Sequence, residues 1–318
     1  MSTPSPIDYG LLRWSECGQY KPLASLALGE FERKRGTEAT SEATLDLLSR
    51  RSTWLILRLY RLVGRPIVDI LVARAGEELV GTGMTLWLPH VAYVTTVATR
   101  PEVRGRGIAS RILALQAEEA RRRKRPWLAL DVEGDNETAQ RVYRKAAYQD
   151  AGTFTWFTRN GLPPQEGPPN PPAPRLVERS DYTEVLSKLD ASRPADYRSA
   201  FPAGERTLHH NEYLVRGGRL EQRTWRVDSS SGGIGVVRAY YLRGGQLGVY
   251  FPMTTNPEIS PEEVLGMIDT ATEWLRSRGP SRCLAMVSEP GRAVTTALER
   301  RGFSSAVSSL TMLRKVSG

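Results

Sequence analysis

The segment Val97-Ala98-Thr99-Arg100-Pro101-Glu102-Val103-Arg104-Gly105-Arg106-Gly107-Ile108-Ala109 passes from a β-rich run, through a glycine turn, into a helix-period pattern. A helix N-terminus presents backbone N–H groups with no intrahelical acceptor, together with the positive end of the macrodipole. It is therefore a natural site for an anion, and for a phosphate or pyrophosphate above all. Gly105 and Gly107 carry no Cβ, so the backbone can come close to such a group. No Gly-Lys-Ser/Thr follows and the spacing is not Gly-x-Gly-x-x-Gly, which excludes a Walker loop and a dinucleotide fingerprint. Taken alone, the pattern also fits a surface turn that caps a helix.

A second stretch follows about thirty residues on: Leu130-Asp131-Val132-Glu133-Gly134-Asp135-Asn136-Glu137-Thr138-Ala139-Gln140-Arg141-Val142-Tyr143. The two stretches resemble motifs A and B of the GNAT superfamily of acetyltransferases, in the right order and at the right separation. The resemblance covers roughly residues 7–159. It implies an acyl-CoA co-substrate (acetyl-CoA or another acyl-CoA), an amine acceptor and no metal. It also implies roles by position. Backbone groups of Val97, Ala98 and Thr99 pair with the pantetheine arm as an added strand would. Backbone N–H groups of Arg104, Gly105, Arg106, Gly107, Ile108, Ala109 and Ser110 hold the pyrophosphate. Asn136 bonds near the pantetheine or the splayed strands, and Tyr143 protonates the departing thiolate. One departure is Ala147-Tyr148, where the family usually has Gly-Phe at a helix end.

Thioester aminolysis explains why such residues are needed. The attacking amine must be neutral, yet a primary alkylamine has a pKa near ~10. A base or a water chain must take its proton. Many relatives place a glutamate near the start of the motif A strand; the corresponding position here is about Val91, so that glutamate is absent. His90, Tyr93, Asp131 and Glu133 are the nearby candidates. His90 titrates in a suitable range when unperturbed, but it also fits a solvated loop after Pro89. Asp131 and Glu133 alternate along one strand face and could equally bind a cationic amine. Tyr143, by spacing alone, also fits a packed aromatic on a helical face.

These residues need a frame. β-rich runs at Val68–Arg74 and Leu79–Leu88 around Ala75-Gly76-Glu77-Glu78 predict a hairpin. Further strands are expected at Ile7–Trp14, Tyr93–Thr99, Trp127–Val132 and Thr153–Arg159. Helices are expected over Tyr20–Arg33, over Glu42–Leu62 with Ser41 as cap, through Ile108, Ile112 and Leu115, and through Ala139, Val142, Tyr143 and Ala146. Gly161–Pro174 is half proline and reads as an extended linker. Beyond it, strands at 225–228, 234–242, 246–251, 283–287 and 308–314 and helices through Leu265–Leu275 and Val294–Leu298 repeat the first half's order. The expected fold is thus mixed α/β: two tandem GNAT-like domains, 1–160 and 175–318, joined by linker 161–174, each a mostly antiparallel twisted sheet flanked by helices.

The second copy is expected to be degenerate. Pro252–Pro261 has no Arg-x-x-Gly-x-Gly, and Leu298 stands at the tyrosine's place. The chain of 318 residues has 44 Lys plus Arg against 35 Asp plus Glu, a net charge of +9, which attracts anions without choosing one. Arg121–Arg125 sits at a helix C-terminus, where cations offset the dipole, so nucleic acid is the less favoured partner. His209-His210 has no third ligand at metal spacing. Cys17 and Cys283 make no disulfide framework, which points to a reduced, cytoplasmic setting. No run approaches ~20 apolar residues, so no membrane partner is expected. The favoured activity is acetyl transfer to an amine. Acyl transfer from aminoacyl-tRNA and a non-catalytic CoA-sensing module are the alternatives. Nothing in the sequence identifies the acceptor or an oligomeric state.

Overall fold

The computed structural model describes residues 6–35, 46, 50–164, 173–202, 220–242, 246–256, 258–288 and 291–316. It divides into two compact units, Met1–Ala151 with Leu310–Gly318, and Gly152–Ser309. The division falls inside a strand rather than in the proline-rich stretch, whose residues 165–172 lie outside the described ones.

The first unit runs β1 (Ile7–Leu11), α1 (Cys17–Arg35), α2 (Arg51–Leu62), β2 (Val68–Ala75), β3 (Glu78–Trp87), β4 (Val91–Thr99), α3 (Ile108–Arg122), β5 (Trp127–Glu133) and α4 (Glu137–Lys145). The start of β6 (Gln149–Asn160) ends its first segment. The helix expected from Glu42 is described from Arg51 onward, and Ser41 lies outside the described residues. The strand order is β1-β2-β3-β4-β5, and the end of β12 (Ser304–Lys315) lies beside β5. β1 to β4 pair antiparallel, while β4 and β5 pair parallel. Gly81 and Gly83 let α3 settle onto β3: a Cβ at either would come within 2.6 Å of Ile108 or Ile112. The core between the sheet and α3 and α4 gathers Trp87, Val94, Leu113, Leu128, Leu130, Tyr143 and, from β12, Met312.

The second unit takes up the rest of β6, then β7 (Arg175–Leu176), α5 (Tyr182–Ala191) and α6 (Ala195–Ala200). There follow β8 (Leu220–Asp228), β9 (Ile234–Leu242), β10 (Leu247–Thr254), α7 (Pro261–Arg276), β11 (Arg282–Ser288), α8 (Arg292–Arg300) and most of β12. β8 to β10 are antiparallel and β10 pairs parallel with β11. The sequence β-β-β-α-β-α-β thus occurs twice, from β2 to β6 and from β8 to β12, as the repeated pattern predicts. α5 and α6 were not foreseen. Among the described residues no helix is long and apolar enough to cross a membrane.

Candidate functional site

β4 and β5 are paired only at Val91–Trp127, Ala92–Leu128 and Tyr93–Ala129. Beyond Tyr93 the register stops and the strands part. β4 keeps its antiparallel bonds to β3 on its other edge. From Val94 onward, backbone groups on the β5 side are thus released from the ladder, which is how an open strand edge accepts an extended ligand. The parting is helped by an extra residue in β4: Thr82 faces Ala98 while Met84 faces Thr95. At this bulge Thr96 has φ 53°, a conformation that β-branched residues rarely adopt. No residue pattern around Thr96 foretells this bulge.

Past the opening the chain turns through a single 3-10 turn at Pro101–Val103 and enters α3. Gly105 and Gly107 hold φ of +78° and +77°, and a Cβ on either would meet nothing within 4 Å. The loop's shape, not crowding, is what demands glycine here. Gly107 is the N-cap of α3 and offers no side-chain oxygen, and the first N–H returned to it is that of Arg111 (3.0 Å). The N–H groups of Ile108, Ala109 and Ser110 therefore point out of the helix end without intrahelical acceptors. Arg104, Arg106 and Ser110 are exposed around them, and Arg104 Nε donates to Thr99 O (3.3 Å). Thr99 Oγ1 is enclosed with no hydrogen-bond partner among the described residues. An unfilled helix end, a glycine loop and an orphaned hydroxyl beside parted strands fit a phosphorylated, extended ligand.

Tyr143 lies on the apolar face of α4, in the same apolar cluster as Leu130 and Val97, and edge-on to Tyr148 with ring centroids 6.1 Å apart. Burial pushes its phenol up to about 12, so it remains a loaded proton donor at neutral pH. Asn136 caps α4, its Oδ1 accepting from Ala139 N (3.0 Å). That employs the side-chain oxygen in ending the loop after β5, at an exposed position.

The structure separates the four base candidates. His90 is exposed in the β3–β4 turn, at the end of β4 where the strands are still paired. Thr96 is six residues away, roughly 20 Å along a strand. Tyr93, Asp131 and Glu133 share the sheet face opposite the α3–α4 core. Tyr93 Oη donates to Asp131 Oδ2 (2.6 Å), and Thr311 Oγ1 on β12 donates to Asp131 Oδ1 (2.7 Å). Lys34 on α1 donates to Glu133 Oε2 (2.6 Å) and to Asp135 (3.1 Å), bonds that raise the Lys34 pKa. Asp131 is thus a carboxylate fixed by two hydroxyls, and Glu133 half of an ion pair. Thr311 and Lys34 have no sequence signal, since one comes from the far end of the chain and the other from an ordinary helix face.

In the second unit, β10 and β11 also part after a short parallel run, from Leu247–Arg282 to Tyr250–Ala285. The helix that follows, α7, is filled at its N-terminus by its own residues. Ser260 and Glu263 form a capping box, and the Glu263 carboxylate also accepts from Ser230 N (2.8 Å) and Ser229 Oγ (3.2 Å). Burial works to raise the Glu263 pKa, but these hydrogen bonds prevail and lower it. Leu298, at the place of Tyr143, is wholly buried in the core. Elsewhere, Arg122 and Arg123 of the basic run are both tied to Glu119 (2.7 and 2.6 Å). His209 and His210 lie outside the described residues. Among the described residues no group of three or more His, Cys, Asp or Glu could hold a metal ion.

Comparison with known proteins agrees with this geometry. Residues 35–148 match the model of the acetyltransferase (GNAT) family. The fold resembles the crystal structure of a GCN5-related N-acetyltransferase from Sphaerobacter thermophilus (TM-score 0.58, 12% identity, 99% of this chain and 98% of that one). It also resembles a tandem GNAT protein from the clavulanic acid biosynthesis pathway (TM-score 0.54, 16% identity, 98% and 99%). At these identities the likeness shows the fold. No curated protein matches the chain in sequence.

Proposed function

Because residues 35–148 carry a domain of the acetyltransferase (GNAT) family, we propose that this protein is an acyl-CoA-dependent N-acyltransferase that moves acetyl from acetyl-CoA to a primary amine. The observation that carries this reading is the unfilled N-terminus of α3, with its left-handed Gly105 and Gly107, beside the parted strands. The backbone of Val97, Ala98 and Thr99 would hold the pantetheine arm, and the N–H groups from Arg104 to Ser110 the pyrophosphate. The thioester supplies the activated acyl group. Thr99 Oγ1 and the amide of Asn136 are further donors for the arm.

The chain's own residues then divide the remaining work. Tyr143, protonated and in the same apolar cluster as Val97 of β4, gives its proton to the departing sulfur. Asp131 already accepts a hydroxyl on each oxygen. That suits it to orient the incoming ammonium as a fixed negative charge better than to remove a proton. Proton removal passes to water rather than to His90 at the far strand end or to Glu133, which Lys34 engages. The second unit is expected to hold no CoA, since the Glu263 carboxylate accepts from Ser230 N and Ser260 N at the start of α7.

Calorimetry of the full chain with acetyl-CoA, paired with thiol release over a panel of amines, tests the assignment. One CoA per chain is expected. Gly107→Glu places a negative charge and a strained side chain in the site, and should weaken binding on the order of 100-fold. Unchanged affinity in a folded Gly107→Glu protein overturns the site.

A further inference from the structure

α2 is unlike the other described α-helices of the first unit, because none of its residues is buried. Yet seven of its twelve residues, Arg51-Ser-Thr-Trp-Leu-Ile-Leu-Arg-Leu-Tyr-Arg-Leu62, are aliphatic or aromatic. Leu55, Leu59 and Leu62 are 61%, 53% and 73% exposed, and Ile56, Tyr60 and the following Val63 are exposed as well. At 3.6 residues per turn these side chains form one continuous stripe, about 160° wide. Trp54 and Leu57, on the other side of the helix, face a groove of about 460 Å³ against the edge of β1 and β2. An apolar stripe of this breadth on a single helix marks an interaction surface rather than scattered exposed leucines.

The charges say what covers it. Arg50, Arg51, Arg58, Arg61 and Arg65 fall in this segment, and no acidic residue occurs between Asp46 and Asp69. Arg61 is paired with Asp69, and Arg50, Arg58 and Arg65 are exposed. Arg51 and Arg58 border the stripe on one side. The Arg51 guanidinium stacks on the Trp14 ring, 4.2 Å from its centroid, while the stem of the exposed Arg58 can lie along apolar material with its guanidinium outward. A second copy of this helix is a poor cover, because a two-fold contact brings the same arginines together with no carboxylate from the segment between them. A surface that is apolar within and anionic at its boundary matches both features. Helices with this division of leucine, aromatic residues and arginine lie in the plane of a lipid interface.

We propose that α2 is an interfacial helix that seats the protein on an anionic membrane surface, its leucine stripe entering the acyl boundary and its arginines meeting the headgroups. The groove beneath it, lined by Leu11, Trp14, Leu55 and Ile70 with Arg58 and Arg61, has the character to receive part of a lipid chain. This departs from the expectation of no membrane partner and does not depend on the catalytic reading. It concerns binding on a membrane, not crossing it.

The test is co-sedimentation of the full chain with vesicles of phosphatidylglycerol and phosphatidylcholine, or of phosphatidylcholine alone. The protein should partition onto the anionic vesicles alone and be released by salt. Leu55→Asp combined with Leu59→Asp should lower that partition tenfold or more, on the order expected for removing two inserted side chains. Arg58→Glu with Arg65→Glu should also release the protein. All four positions are exposed, so circular dichroism should show the variants folded. Failure of the native protein to sediment, equal partition onto neutral vesicles, or unaltered binding by the Asp variant would each overturn the proposal. So would a dimer in light scattering that the Asp variant dissociates.

Discussion

α3 and α7 hold the same place in their units: each follows a strand whose parallel neighbour leaves it after a few pairs. α3 starts at Gly107, with no side chain on its first N–H groups and a left-handed loop before it. α7 starts at Ser260, and Glu263 turns back to fill the same kind of helix end while also fastening the Ser229–Ser231 turn. One unit leaves that helix end to its backbone; the other sets a carboxylate of its own beside it. The second copy therefore differs by more than a missing motif, since Glu263 accepts from Ser260 N and Ser230 N where α7 begins. By contrast, the helices that follow β5 and β11 close alike. Tyr148 N bonds Tyr143 O (3.1 Å) in one, and Phe303 N bonds Leu298 O (3.0 Å) in the other. The units differ where chemistry would occur and agree where only the chain must turn.

That contrast can be attacked at its strongest point first. Tyr143→Phe should lower kcat on the order of 100-fold and leave the acetyl-CoA Kd within about threefold, as loss of a positioned proton donor does. Because its phenol ionises only at about 12, the donor remains loaded as pH rises through the assay range, so the native and variant profiles should share one alkaline shape. Leu298→Ala, the matching truncation in the second unit, should cost stability and leave kcat per folded molecule unchanged. Next in size, Glu263→Ala removes a buried acceptor and leaves the Ser230 and Ser260 N–H groups unmet. A loss of about 2 kcal/mol in denaturant unfolding is expected, with no second CoA in calorimetry. A second CoA would show that Glu263 alone keeps that end shut.

Smaller effects sharpen the comparison. Thr311→Val takes one of two hydroxyls from Asp131, and should raise the acceptor KM about fivefold with little change in kcat, the sign of a positioning residue. A fall in kcat with KM unmoved would instead implicate Asp131 in proton transfer. Ala147 has φ 63° at the helix end where the second unit has Gly302 at φ 72°. Ala147→Gly should therefore gain about 0.5 kcal/mol in thermal or denaturant unfolding, the relief of a left-handed alanine less the added chain entropy. Gly302→Ala should lose at least about 1 kcal/mol, because its Cβ would run into the Arg159 guanidinium.

The parts of this picture that were legible in the sequence are the local ones. Strand, glycine loop and helix follow each other within the span 91–122, and their periodicities and φ preferences declare them. The Ser260-x-x-Glu263 signature of a capping box was also there to be read, and it would have identified the occupant of α7's N-terminus. What remained hidden depends on pairs far apart in the chain. Nothing near Asp131 foretells that Thr311 will hold it. Nothing near Glu133 points to Lys34. His90 looked adjacent to the chemistry because it precedes β4, yet a strand carries its two ends far apart. The apolar residues of α2 have the spacing of a buried face, and periodicity alone cannot tell a face turned to the core from one turned outward.

The return of β12 to the first unit has a consequence for how the protein is made. Leu310–Lys315 supply Met312 to that unit's core and Thr311 to Asp131. A ribosome that has finished residues 1–151 has therefore not finished the unit they belong to. The nascent chain must wait, its β5 edge uncovered, until residues 152–309 have all been synthesised. A strand edge left waiting is open to wrong partners, and early folding of the intervening unit shortens that exposure. Messages or translation events that stop short of residue 310 thus yield a glycine loop without a finished sheet around it, and on the proposed catalytic reading such chains are expected to be inactive.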